Sequence, residues 1–352
     1  MSPNFKIRFI KALLLCLPIL LFTSCNSEQN ISKEKMVYKQ SIFDKLSIDD
    51  LLEFELVADF DSLILTKDEE RYYPASFSFN DENDSLVTKE ILVGTRGKTR
   101  KSICDLPPLR LKFPKPLLEK SNLANYKTLK LVTPCHDKAG YEDLIMKELL
   151  CYQMYQVLTG QSFRAHPALV RIKQKESGKM DSEKLAFLIE HEKEMAKRLG
   201  GELFDKSIKK VKTIDIESYN LLVLFQYLIG NTDWNLSKRH NIKLVKVEGN
   251  SAPIPVPYDF DYSGLVNAEY AIPHPNLPIK NVRERLFQWR GKDAKMLQPS
   301  VDVLLSKKEA LFSLIKNCPL KNQKGKDEML AYVSTFFEMT EKEGELEKLV
   351  KK

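Results

Sequence analysis

Residues 141–160, YEDLIMKELLCYQMYQVLTG, mark the place where the periodicity of the chain changes. Apolar side chains recur there at helical spacing, and the run stops at Gly160, a residue that ends helices readily. Upstream the pattern differs. FELVADF (54–60), LILT (63–66), PASFSF (74–79), LVTKEILVGTR (86–96), LRLKF (109–113) and TLKLVT (128–133) are rich in β-branched and aromatic residues. Turn clusters such as Asn80-Asp81-Glu82-Asn83-Asp84 separate them, so they read as strands.

Downstream, ALVRIKQ (168–174) and KLAFLIE (184–190) flank a turn at Ser177-Gly178. The chain then becomes mainly helical, through HEKEMAKRLGG (191–201) and ESYNLLVLFQYLIG (217–230). Apolar positions of the second nearly surround its axis, the mark of a buried helix. A strand pair follows, NIKLVKV (241–247) and PIPVPYDF (253–260) around Gly249-Asn250, then a loop with Pro273, Pro275 and Pro278. Helices are expected from about residues 281, 300 and 326. The pattern predicts an α+β chain: a β-rich N-lobe with one helix over 41–172, then a linking strand and a mainly helical C-lobe with a small hairpin over 173–352.

The chain has 352 residues, 43% hydrophobic and 29% charged, enough for one large two-lobed domain and unlike disordered, collagenous or disulfide-miniprotein sequences. Its net charge is +7, from 55 basic and 48 acidic residues. Residues 1–24, MSPNFKIRFIKALLLCLPILLFTS, contribute Lys6, Arg8 and Lys11 and no acid. Beyond them the excess is an ordinary +4, and no nucleic-acid partner is indicated.

Those 24 residues read as a signal peptide: three cations, then an apolar run from Ala12 to Phe22 too short to span a bilayer as a helix. Leu21-Phe22-Thr23-Ser24-Cys25 resembles a bacterial lipobox, with Cys25 the acylated residue and 25–40 the anchor and polar tether. A plain secretory signal is the alternative. Either way the chain is expected in the cell envelope. Lipid anchoring at the membrane, with Asn26 after the Cys, points to the outer membrane, facing periplasm or exterior.

Cys104, Cys135, Cys151 and Cys318 then remain, and four cysteines allow three pairings in an oxidising compartment. Cys104 and Cys135 flank two strand-like runs and are the favoured disulfide; Cys151 reads as core. No Cys/His grouping has zinc-ligand spacing.

The chemistry concentrates in GNTDWNLSKRHNIKLVKV (230–247) and VPYDFDYSG (256–264). Phosphoryl transfer needs an acid that takes the proton of an incoming hydroxyl and oxygen ligands for Mg²⁺. Asp233 suits the first role. Asn241, opening one strand, and Asp259, ending the next, would stand side by side on the hairpin, with Asp261 adding a second carboxylate. Gly94-Thr95-Arg96-Gly97-Lys98-Thr99 is not a Walker A loop, because only two residues separate its glycines and strands rather than a helix are expected after it. Arg96, Lys98 and Arg100 either face phosphates or are merely solvated. Trp234 and Trp289 read as packing residues.

GNTD, an Asn that opens a strand and a following D-x-D resemble the atypical kinase families HipA and CotH. VGTRGKTR (93–100), CDLPPLRLKF (104–113), KTLKLVT (127–133), FLIE (187–190) and PVPYDFDYSGLVNA (255–268) also resemble a set of exported bacterial lipoproteins associated with that superfamily. The resemblance covers about residues 50–290. It implies a two-lobed protein-kinase-like fold using Mg²⁺ and ATP or another nucleotide. Asp233 would be the catalytic-loop acid, Asn241 and Asp259 metal ligands, and Lys130 with Glu148 the ion pair that positions phosphates. Asn235 is an alternative ligand, and Glu142 an alternative partner for Lys130.

The function expected is a membrane-anchored phosphotransferase acting on an unknown acceptor. The alternative is a catalytically degenerate lipoprotein that serves as an envelope binding or scaffold protein, and a third reading is a metal hydrolase built on Asp233, Asp259 and Asp261. Simpler roles stay open for single residues: a polar turn at Asn231-Thr232-Asp233, solvent-facing strand ends at Asp259 and Asp261, an exposed helix position at Glu148, and a snorkelling Lys130.

Overall fold

The computed structural model describes residues 39–176, 182–206 and 213–351. The leader, Cys25, the tether up to residue 38 and the Ser177-Gly178 turn lie outside the described residues. Seven strands form a closed barrel: β1 (Leu52–Ala58), β2 (Tyr73–Asn80), β3 (Leu86–Thr95), β4 (Leu109–Lys112), β5 (Thr128–Val132), β6 (Ala165–Gln174) and β7 (Ser182–Ile189). Their order is β1-β2-β3-β4-β5-β7-β6, and β1 returns to pair with β6. All pairings are antiparallel except that last one, which runs parallel from Leu52 opposite Ala168 to Ala58 opposite Gln174.

Alternation explains the inside of the barrel. Leu52, Phe54, Leu56 and Ala58 point inward along β1, with less buried residues between them, and they meet Phe77, Leu111, Leu131, Val170 and Leu188 in one apolar cluster. The strand β7 differs because both of its faces are covered. Ala186 and Leu188 enter the barrel, while Phe187 and Ile189 join a second cluster outside it. This is why residues 185–189 read as an unbroken apolar run.

The second cluster is built on α5 (Tyr141–Leu158), which lies against β6 and β7, and α7 (Ile216–Ile229). Around them pack α8 (Gln298–Ser306), α9 (Lys308–Asn317) and α10 (Gln323–Thr340), with α11 (Glu345–Lys351) last. A three-stranded sheet, β8 (Gly201–Leu203), β9 (Ile242–Val247) and β10 (Ile254–Pro257), has the order β10-β9-β8. The remaining helices are short: α1 (Ile42–Leu46), α2 (Phe60–Leu65), α3 (Thr99–Ile103), α4 (Lys115–Lys120) and α6 (Glu192–Arg198). Among the described residues no helix is long and apolar enough to cross a membrane.

The expected two-lobed protein-kinase-like fold, with a β-rich N-lobe and a mainly helical C-lobe, is therefore corrected to a closed mixed barrel flanked by eleven described helices. The strand expected to link two lobes, β7, is a barrel stave. Closure joins Leu52 to Ala168, 116 residues apart, and local pattern carries no information about so distant a pairing. Three shorter stretches also differ from their local pattern. LILT is the end of α2, capped by the Asp59 side chain, rather than a strand. A short helix, α3, does follow the basic turn at 96–98. Residues 281–293 are irregular instead of helical, because Arg283 donates to Gly264 O and Arg285 to Leu228 O and Tyr332 O, pinning the backbone to neighbouring elements.

Candidate functional site

The buried helix α7 starts at an Asp215 cap and ends at Gly230, whose φ of 65° is left-handed. A Cβ at Gly230 would overlap the Tyr332 hydroxyl, so both conformation and space demand glycine there. The next residues form an Asx turn in which the Asp233 N–H donates to Asn231 Oδ1 at 3.0 Å. The chain then leaves and returns. A bridge between Asn235 and His240 closes the excursion, and Asn235 Oδ1 accepts from Lys238 N. Asn235 is thus occupied within its own loop.

The excursion brings Asn241 back onto Asp233. Its Nδ2 donates to Asp233 O at 2.8 Å and to Asp233 Oδ2 at 3.0 Å, while His240 Nε2 lies 2.9 Å from Asp233 Oδ1. Both carboxylate oxygens are held. The Tyr258 N–H donates to Asn241 O at 3.0 Å, so Asp259 stands one residue beyond the cross-strand partner of Asn241. Asn241 and Asp259 both have positive φ, 53° and 66°. Asn and Asp tolerate that region better than other side chains, and such backbone collects at functional sites. The Asp259 N–H donates to the Tyr152 hydroxyl at 2.9 Å, and Phe260 is buried against Tyr152 and Phe225. Asp261 is buried and accepts from the Tyr270 hydroxyl at 3.1 Å.

These residues share a cleft of about 720 Å³, lined also by Arg96, Lys98, Arg100, Arg239 and Glu148. Burial, reinforced by the neighbouring Asp259 charge, pushes the Asp261 carboxyl up to about 7. Burial and the Asp261 charge likewise hold the Glu148 carboxyl well above the usual carboxylate range. One wall is the Pro-rich loop, through Pro273, Pro275 and Leu277.

The pair expected of Lys130 and Glu148 is not brought together. Lys130 Nζ lies 4.9 Å from the centre of the Tyr258 ring, and burial lowers its ammonium to about 8. Glu148 Oε2 instead faces Arg100 Nη1 at 3.7 Å. Glu142 accepts from Leu185 N and pairs with Lys321, so it does not replace Glu148 as a partner of Lys130. Cys104 and Cys135 are joined by a disulfide, and Cys151 is a free thiol in the core. Trp234 packs beside Tyr219, and Trp289 donates to Asn220.

Sequence reasoning did not assign Arg100 to Glu148, and it did not find Tyr270 or Arg239. Arg239 reaches the cleft from the 235–240 excursion, and Tyr270 reaches Asp261 from the segment before the Pro-rich loop; no local pattern marks either of them, or the partner of Arg100. Among the described residues no three His, Cys, Asp or Glu side chains form a preassembled metal-ligand group. Two carboxylates and an amide oxygen, from Asp259, Asp261 and Asn241, are nevertheless a donor set of the hard-oxygen kind that suits Mg²⁺, an ion that keeps several waters and substrate oxygens. No protein-family model matches the chain, and no curated protein matches it.

Proposed function

We propose that the cleft carries out divalent-metal-dependent phosphoryl transfer from a nucleotide or another phosphoanhydride to an acceptor hydroxyl. The observation that carries this reading is the convergence of Asp233, Asn241, Asp259 and Asp261 on one cleft that Arg96 and Lys98 also line. Asn241, Asp259 and Asp261 would hold Mg²⁺, which offsets phosphate charge when bound. Asp233 would receive the acceptor proton. Its hydrogen bonds to His240 and Asn241 hold the carboxylate in one orientation, which is the positioning such chemistry requires. On this reading the mature chain begins at an acylated Cys25 and works at the envelope membrane.

A second reading, an envelope binding or scaffold protein without catalysis, is favoured by one observation: Lys130 sits on Tyr258 and not beside Glu148. A thermal shift on the mature chain separates the two. ATP with Mg²⁺ or Mn²⁺ should raise the unfolding temperature, with about 2.7 kcal/mol of stabilisation at a ligand concentration one hundred times Kd. Asp259→Asn should reduce the shift to that seen without metal, since Asn tolerates the left-handed backbone but removes the charge. No shift with any nucleotide and either metal leaves the binding reading in place of phosphotransfer.

A further inference from the structure

Past β3 the chain turns at Gly97, with φ of 91°, and enters α3. Among the links that tie this segment down are the disulfide from Cys104 to Cys135, a hydrogen bond of 2.5 Å from Arg100 Nη2 to Thr133 O, and one of 3.2 Å from Lys67 Nζ to Ser102 O. Arg100 is only 8% exposed, yet it lines the cleft together with Arg96 and Lys98. A guanidinium has five N–H donors in a fixed fork. Here one group is taken by a carbonyl, Glu148 at 3.7 Å is beyond hydrogen-bond range, and the buried Nε has no partner. Glu148 Oε2 and Thr133 Oγ1 beside it also lack partners. Buried polar groups are nearly always satisfied, so the unpartnered Arg100 Nε and Glu148 Oε2, from two residues that line the cleft, indicate a place built for a bound group. The planar fork matches the oxygens of a phosphate.

We propose that Arg100, with Arg96 and Lys98 on the turn before it, forms an oxyanion subsite that takes the phosphates of the donor. It thereby fills the part that the sequence resemblance gives to Lys130, and Glu148 acts as the positioning residue for the guanidinium. The assignment rests on the phosphotransfer reading. The carboxyl groups of Glu148, Asp259 and Asp261 lie around Arg100, so the subsite takes its oxyanion most tightly when a divalent cation on Asp259 and Asp261 offsets their charge.

Isothermal titration of the mature chain with inorganic pyrophosphate, in Mg²⁺ and in EDTA, tests this. Wild type should bind in Mg²⁺, and Arg100→Gln should weaken binding by about tenfold or more, the loss expected for a charge-assisted hydrogen bond. Because Arg100 is buried, the double variant Arg96→Gln/Lys98→Gln on the accessible turn is the second probe; it should fold as wild type and bind more weakly. Asp259→Asn should lose only the gain due to Mg²⁺. Absence of pyrophosphate binding by wild type, unchanged binding by a folded Arg100→Gln, or unchanged binding by the double variant overturns the subsite. Phosphotransfer with unchanged Arg100→Gln binding removes the subsite alone; Arg100-dependent binding without phosphotransfer removes the catalytic reading alone.

Discussion

Two arginines meet carboxylates inside this protein, and they do so in opposite ways. Arg164 engages all three nitrogens of its guanidinium: Nη1 on Asp44 at 2.8 Å, Nε on Glu190 at 2.9 Å and Nη2 on Glu194 at 2.7 Å. Glu190 also binds Arg198 at 2.6 Å, and Ser41 donates to Glu194 at 2.6 Å. The network ties α1 to the ends of β6 and β7 and to α6, with one Glu194 oxygen left over. Arg100 has one carbonyl, a carboxylate at 3.7 Å and an open Nε. The first cluster is finished by the chain itself, whereas the second is left for something else to finish.

That contrast can be broken most forcefully at Arg164. Arg164→Ala leaves buried Glu194 without its cation and Glu190 with Arg198 alone, and should cost about 3–5 kcal/mol, measured by urea unfolding. Pyrophosphate binding by the folded fraction should stay unchanged. A cost below about 1 kcal/mol, the range of exposed ion pairs, would remove the claim that this network is structural.

Next in size is the staple beneath Arg100. Replacing both Cys104 and Cys135 by Ser opens a link across 31 residues of separation and should cost about 2–4 kcal/mol. It should also weaken pyrophosphate binding, because the C-terminal end of α3 loses its covalent tie to Cys135. Weakened stability with intact binding would show that the non-covalent contacts, among them Thr133 O and Glu148, position Arg100 without the disulfide.

The smallest effect is a pH slope. Burial pushes the Glu194 carboxyl up to about 7 from its ordinary 4.5. The folded state then holds this proton to higher pH than the unfolded chain does. Its contribution is most favourable below pH 4.5 and is lost as pH rises towards 7, at up to about 1.4 kcal/mol per pH unit. Glu194→Gln should flatten that part of the stability profile in denaturant titrations at stepped pH. An unchanged slope would mean that Glu194 is already ionised throughout.

Much of the local structure was legible. The strands at 54–58, 74–79 and 128–132 alternate inward and outward, a pattern imposed by short-range geometry, and α5 and α7 are long apolar runs of the length a buried helix needs. LILT misled because its β-branched composition is overridden by the Asp59 cap, and residues 281–293 misled because arginine contacts to distant carbonyls outweigh helical propensity. At the cleft, the GNTD turn and the D-x-D stretch do stand together with Asn241. The Lys130 and Glu148 pairing was not legible in this way, since which cation meets Glu148 depends on how a turn 48 residues earlier folds over it.

Alone, then, the sequence determines the identity and face of most elements, the pair of cysteines bracketing two strands, and the short segments rich in metal-binding oxygens. All of these are encoded within a few residues of one another. Barrel closure between Leu52 and Ala168, the change from Lys130 to Arg100 beside Glu148, and the split between a completed and an open arginine cluster belong to the tertiary structure. Each depends on contacts between chain segments far apart, whose energies are settled only when burial leaves a charged group no water to fall back on.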